Sequence, residues 1–189
     1  MSTQDSKLFV ISGPSGAGKG TLVTRVRERR SNLGLTVSAT TRAPRKGEVD
    51  GVNYFFLTRE EFDRRVANGE FVEWAEVHGN CYGTLVSEVT SKLASGSSLI
   101  LEIDVQGALQ VKERFPEAVL IFIKPPSLEV LRERLVGRGT ETPETIELRM
   151  ANAAHELALA DRYDDVVVND DLDRATDELV RVLDMHERI

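Results

Sequence analysis

Nine residues near the start of the chain, GPSGAGKGT from Gly13 to Thr21, restrict what it can fold into more than any other stretch. Ahead of them Leu8 to Ser12, LFVIS, is a short apolar run that predicts a buried strand; after them TLVTRVRERR carries Leu22, Val23 and Val26 at helical spacing. Strand, glycine-rich turn and helix, in that order, make a phosphate-binding arrangement. Gly13, Gly16 and Gly18 allow backbone angles that other residues avoid, so successive N–H groups can point at an anion at the positive end of the helix. Lys19 adds a mobile point charge able to reach the β- and γ-phosphates of a nucleotide. In the common form of this loop Ser or Thr follows the lysine directly and its hydroxyl touches Mg²⁺. Here Gly20 holds that place and the hydroxyl comes one residue later, at Thr21, which leaves the direct metal ligand open. The competing reading is a glycine turn that serves packing alone.

The remainder of the chain fits an α/β core around that loop. LGLTVSAT predicts a second strand over about Leu35 to Ala39, and TTRAPRKGEVDGVNYFF, rich in Gly, Pro and charge, reads as a loop or the entrance to an insertion. TREEFDRRVANG predicts a short helix capped by Thr58, with Glu61 at the capping-box position and Gly69 near its end. FVEWAEV, Phe71 to Val77, alternates as a half-exposed strand does. Residues 38–87 are thereby expected to form a small mixed subdomain set into the core.

SEVTSKLASG predicts a helix and SLILEID a strand ending in Glu102 and Asp104, where a Walker-B acid would sit. VQGALQVKERF, AVLIFIK and SLEVLRERLVGRG follow as helix, strand and helix. Strands alternating with helices predict a parallel sheet covered on both faces, with ligands beyond the strands' carboxyl ends. GRGTETPET interrupts the pattern, and Pro143 is predicted to start a long helix reaching about Tyr163. Residues 127–159 are expected to form a mobile lid. DDVVVND supplies a last strand, and Leu172, Ala175, Leu179, Val182 and Leu183 mark the apolar stripe of a closing helix. The core is then expected to comprise residues 1–37, 88–126 and 160–189 of one domain.

Composition narrows the function classes. With 189 residues, 41% of them hydrophobic, the chain can bury a core of its own. No run approaches a membrane span and MSTQDSK at the start lacks an apolar stretch, so the expectation is a cytoplasmic protein without membrane contact. The single Cys81 permits no internal disulfide. A net charge of −7 argues against broad nucleic-acid binding, so an anionic ligand must be held by local arginines. His78, His155 and His186 have no zinc-ligand spacing.

Two basic sets stand out. Arg42 and Arg45, with Lys46, share the TTRAPR loop; they read either as a bidentate phosphate clamp or as solvated loop charge. Arg134 and Arg138, four apart, and Arg149 beyond the turn lie in the expected lid, with the same two readings.

As a set, GPSGAGKGT, SATTRAPRKGEVDGVNYFF, FVEWAEVHGNCYGT, ILEIDVQGA, LRERLVGRGTE and VVVND resemble the guanylate kinases, in that family's order and over nearly the whole chain. The departures are Gly20, where Ser or Thr is more usual, and Cys81, where a larger residue often precedes the tyrosine. The resemblance implies transfer of the γ-phosphoryl group of ATP to GMP with Mg²⁺ as cofactor, ATP and GMP being the partners. It implies an ATP site of Gly13, Pro14, Ser15, Gly16, Ala17, Gly18, Lys19, Gly20, Thr21, Arg134, Arg138 and Asn169. It implies a GMP site of Ser38, Arg42, Arg45, Tyr54, Glu73, Tyr82, Thr84, Glu102, Asp104 and Arg149. Lys19, Arg42, Arg138 and Arg149 would carry catalysis, and Thr21 and Asp104 would reach the metal, through water.

The chemistry of these side chains agrees. Guanine presents N1–H and N2–H donors beside an O6 acceptor, which the Glu73 carboxylate and the Ser38 and Thr84 hydroxyls can match. The attacking group is an ionised phosphate oxygen and needs no general base. Two other readings compete: a monophosphate kinase of other base specificity, and a catalytically inactive interaction module on the same fold.

Overall fold

The computed structural model describes residues 6–77, 79–139 and 141–187. His78 and Thr140 lie outside the described residues. β1 (Leu8–Ser12) is buried along its whole length, and the glycine turn leads from it into α1 (Lys19–Arg29), whose Leu22, Val23 and Val26 face the core. The stretch expected to be one strand over Leu35–Ala39 is instead two. β2 (Gly34–Leu35) and β3 (Ala39–Thr40) belong to different sheets. Neither Gly nor Pro marks the break at residues 36–38, and the apolar–polar alternation runs straight through it, so the sequence carries no sign of the crossing.

β4 (Phe55–Phe56) follows the charged loop, then α2 (Arg59–Ala67), β5 (Phe71–Val77) and β6 (Asn80–Leu85). The Thr58 capping box is present as expected: Thr58 accepts from Glu61 N while the Glu61 carboxylate accepts from Thr58 N. These strands make a four-stranded sheet of order β4-β3-β6-β5, in which β6 is antiparallel to both its neighbours. β6 was not foreseen as a strand. Between Phe71 and Glu73 the register shifts by one: Phe71 pairs with Leu85 and Glu73 with Thr84. A bulge of this kind re-aims the side chains beyond it.

The chain returns to the core through α3 (Val86–Ala94), β7 (Leu99–Glu102), α4 (Val105–Arg114), β8 (Val119–Lys124), α5 (Leu128–Gly137), α6 (Pro143–Leu157), β9 (Asp165–Val168) and α7 (Leu172–Glu187). The core sheet is parallel throughout, in the order β2-β7-β1-β8-β9, as the alternation of elements predicts. Along β1 the side chains alternate between two apolar clusters. Phe9 and Ile11 pack with α1 and α7 residues such as Val26 and Leu179; Leu8 and Val10 pack with Val89, Val105 and Ala108 on the other face.

Two expectations are corrected here. Asp104 is not in the strand: β7 ends at Glu102 and Asp104 is the N-cap of α4, its carboxylate accepting from Gly107 N at 2.6 Å. The helix begun at Pro143, capped by Thr142, stops at Leu157 rather than Tyr163. Tyr163 must leave the helical path because its ring is buried edge-on against Phe122, with centroids 5.1 Å apart.

Candidate active site

Two glycines show why the loop needs residues without a side chain. A Cβ at Gly13 (φ 151°) would lie 2.2 Å from the Ile123 carbonyl, and one at Gly18 (φ 88°) would lie 2.4 Å from Asn169 Nδ2. The loop is thus pressed between the ends of β8 and β9. Asn169 is buried and fixes it from below, donating from Nδ2 to the Ala17 carbonyl at 2.8 Å. The Pro14 carbonyl accepts from Ala17 N at 3.1 Å and closes the turn, while Gly16 rests on Leu131 and Leu135. α2, α4, α5 and α6 are each capped by a side chain; α1 is not. Its first amides, from Gly18 to the exposed Gly20 and Thr21, therefore have no side-chain acceptor, and an anion can take that place.

Lys19 Nζ donates to the carbonyls of Gly13 at 2.6 Å and Pro14 at 3.3 Å. Burial pushes its pKa below the ordinary lysine value, and nearby Glu102, Glu156 and Asp104 oppose that shift. Beside the loop, Gly16, Gly18, Arg134, Arg138 and Asn169 wall a cavity of about 520 Å³. The Arg134 guanidinium is held there by the Asn169 carbonyl at 2.8 Å. From α6, Arg149 donates to the Ser15 hydroxyl and pairs with Glu141 at 3.0 Å. The expected ATP residues and Arg149 therefore converge on one loop.

The expected GMP residues fall into two groups. In the first, Arg42 forms a two-pronged ion pair with Glu48, at 3.0 and 2.9 Å, and its guanidinium lies 5.3 Å from the centre of the Tyr54 ring. The Tyr54 and Tyr82 rings meet edge to face at 6.2 Å, and Glu48 also accepts from Arg45 N at 2.7 Å. The Arg42 bond holds the Glu48 carboxyl below the usual carboxylate range. Arg45 is exposed beside this group, and half-buried Ser38 contributes its carbonyl to Phe55 N at 2.9 Å.

In the second group, the buried Thr84 hydroxyl donates to Glu73 Oε1 at 2.8 Å. Burial raises the Glu73 pKa, the Thr84 bond opposes this, and the charge of Asp104 adds to it. Asp104 is sensed by both Lys19 and Glu73, so it stands at the junction of the two halves of the site. Tyr163, whose pKa burial pushes up to about 12, also feels Asp104 and Glu156. Sequence reasoning missed Glu48, Glu141 and Glu156: each sits in an ordinary charged stretch, and only the folded chain pairs Glu48 with Arg42 and Glu141 with Arg149 and brings Glu156 within the field of Lys19.

Thr21, Glu102 and Asp104 offer hard oxygen donors at the cradle. Among the described residues no three His, Cys, Asp or Glu side chains gather to hold a metal. Hard oxygen donors of this kind suit Mg²⁺, which is usually held by one or two carboxylates together with substrate phosphates.

This is the fold and the phosphate grip of a P-loop kinase. Comparison with known proteins narrows the class to a family: the guanylate kinase model matches residues 5–186, and the chain belongs to the guanylate kinase family. It is 57% identical to the guanylate kinase of Gloeobacter violaceus over 178 residues, 94% of this chain and 87% of that one. Over 183 residues it is 52% identical to the guanylate kinase of Halalkalibacterium halodurans, covering 97% and 90% of the two chains. The crystal structure of guanylate kinase from Anaplasma phagocytophilum superposes with a TM-score of 0.73 at 36% identity, over 97% of this chain and 87% of that one.

Proposed function

We propose that the chain transfers the γ-phosphoryl group of ATP to GMP, giving ADP and GDP. The observation that carries this reading is the Glu73–Thr84 pair: a desolvated carboxylate held by a buried hydroxyl and lying close to Asp104 at the head of α4. A carboxylate accepts the two donor N–H groups of guanine, whereas adenine turns a ring acceptor toward it. Rejection of a base that leaves a buried polar group unpaired can reach roughly 10⁴-fold.

In this reading Gly13 to Thr21, Lys19, Arg134, Arg138 and Asn169 hold ATP. Arg42, Arg45, Tyr54 and Tyr82 grip the GMP phosphate, and Glu73, Thr84, Ser38 and Asp104 read its base. A GMP phosphate oxygen attacks the γ-phosphorus as the bond to the bridging oxygen of ADP breaks. No proton needs removing, so the residues act by aligning two anions and neutralising charge on the moving group. Thr21 and Glu102 or Asp104 are the residues that would hold Mg²⁺ bound with ATP, which would add to the neutralisation of charge. Residues 38–87 serve as the GMP-binding subdomain and 127–159 as a lid that brings Arg138 and Arg149 over the phosphates and excludes water. A buried free thiol at Cys81 and the absence of a membrane-spanning helix among the described residues suit action in the cytoplasm.

ADP release measured with ATP, Mg²⁺ and each of GMP, dGMP, AMP, CMP and UMP tests the reading. GMP should be strongly preferred. Equal turnover of AMP would overturn the base assignment, and no turnover with any acceptor would favour the interaction-module alternative.

A further inference from the structure

Gly107, the third residue of α4, is buried inside a regular helix. It is not among the glycines with positive φ, so its backbone has no need of glycine. An alanine there would favour the helix. What the position lacks is room. A Cβ would lie 3.2 Å from Asp104 Oδ1, 3.3 Å from Ile103 Cδ1 and 3.5 Å from Glu73 Oε2. Two of these three neighbours are the carboxylates that meet at the head of α4.

We propose that Gly107 is a positioning residue for acceptor recognition: its bare Cα leaves the gap in which the Glu73 and Asp104 carboxylates sit side by side. This rests on the reading of Glu73 as the residue that recognises guanine. Neither carboxylate can step back freely. Glu73 is tied through Oε1 to Thr84 and aimed by the β5 bulge, and Asp104 is tied to Gly107 N as the helix cap. A methyl group there only touches Glu73 Oε2, at 3.5 Å, but is tight against Asp104 Oδ1, at 3.2 Å, so it is the Asp104 carboxylate beside Glu73 that must give by a few tenths of an ångström. Displacing a binding group by about 1 Å can cost roughly 10²-fold, so this smaller shift should cost about tenfold. The Asn169 and Pro14 contacts that hold the ATP cradle do not involve Gly107.

Gly107→Ala tests this. The expected result is a KM for GMP raised about tenfold, a KM for ATP within about twofold of the parent, and a thermal midpoint no lower. The double variant Gly107→Ala/Ile103→Val removes the third neighbour and should leave the GMP defect in place. An unchanged KM for GMP, a KM for ATP rising in step, a lowered midpoint without a GMP effect, or rescue by Ile103→Val would each overturn the proposal. Glu73→Gln run alongside separates the two levels. If it leaves the preference for GMP over AMP intact, the reading of Glu73 fails; if it removes the preference while Gly107→Ala behaves as the parent, only the role of Gly107 fails.

Discussion

Thr84 Oγ1 donates to Glu73 Oε1 at 2.8 Å, and it does so because one extra residue on β5 brings Glu73 opposite Thr84 rather than Gly83. Thr84→Val keeps the shape and removes the donor. Losing one hydrogen bond to a charged group costs about 1.5–3 kcal/mol, so the KM for GMP should rise roughly 10- to 100-fold with kcat little changed. Initial rates at saturating ATP read this directly; an unchanged KM would show that the hydroxyl does not orient the carboxylate.

Glu73 should reveal itself through pH. Its folded-state pKa is raised above the ordinary value of 4.5 by burial, so the folded state favours the protonated form. The associated stability is fully present below pH 4.5 and lost as pH rises through the raised value. Glu73→Gln, permanently neutral, should therefore melt higher than the parent at neutral pH and lose that advantage near pH 4. Calorimetry at the two pH values checks the sign, and GMP affinity of the parent should weaken on acidification before an ordinary carboxylate would titrate.

Lys19 rests on the carbonyls of its own loop until a phosphate displaces them. Lys19→Met retains the apolar stem without the charge, and kcat/KM should fall by roughly 10²-fold or more with the fold intact. Because burial lowers the Lys19 pKa, activity of the parent should decline at a lower alkaline pH than an ordinary lysine would impose. Rate profiles above pH 8 measure this.

Asn169 supports the loop through the Ala17 carbonyl. Asn169→Ala leaves that carbonyl without its donor, at a cost of about 1–3 kcal/mol. For a chain of this size each kcal/mol is about 2–4 °C of thermal midpoint. ATP should protect the variant less than it protects the parent, since the cradle it grips is looser.

The arginines of the expected lid predict a change of shape. Arg149 already touches Ser15, while Arg138 lies exposed at the end of α5. With ATP analogue and GMP together, X-ray scattering should give a smaller radius of gyration than with either alone. No compaction would remove closure from the mechanism.

What the sequence made legible was whatever is written locally. The Thr58–Glu61 box, the strand over Phe71–Val77 and the glycine spacing of Gly13–Gly18 each depend on neighbours within a few residues and each is found in the structure, although the β5 bulge breaks the strand's alternation and leaves Trp74 and Val77 exposed. Two-residue strands have no periodicity to read, which is why the passage from β2 to β3 reads as continuous in the sequence. The β5 bulge has no residue signature, although it decides where Glu73 points. Glu48 and Glu141 gain their meaning only from Arg42 and Arg149, which turns of the chain, and no helical or strand period, bring to them. The helix thought to reach Tyr163 ends early because a ring had to enter the core.

The small sheet joins the core by two strands of chain, entering after Leu35 and leaving at Leu85. α3, which begins where the chain leaves, clasps the entering crossing, Glu88 accepting from Val37 N at 2.9 Å and Lys92 donating to the Leu35 carbonyl at 2.7 Å. On its other side the same sheet is tied to α4, where Arg114 donates to the Phe71 carbonyl at 2.9 Å and Val72 enters the core cluster, so any swing of this module has to pivot between two attachments.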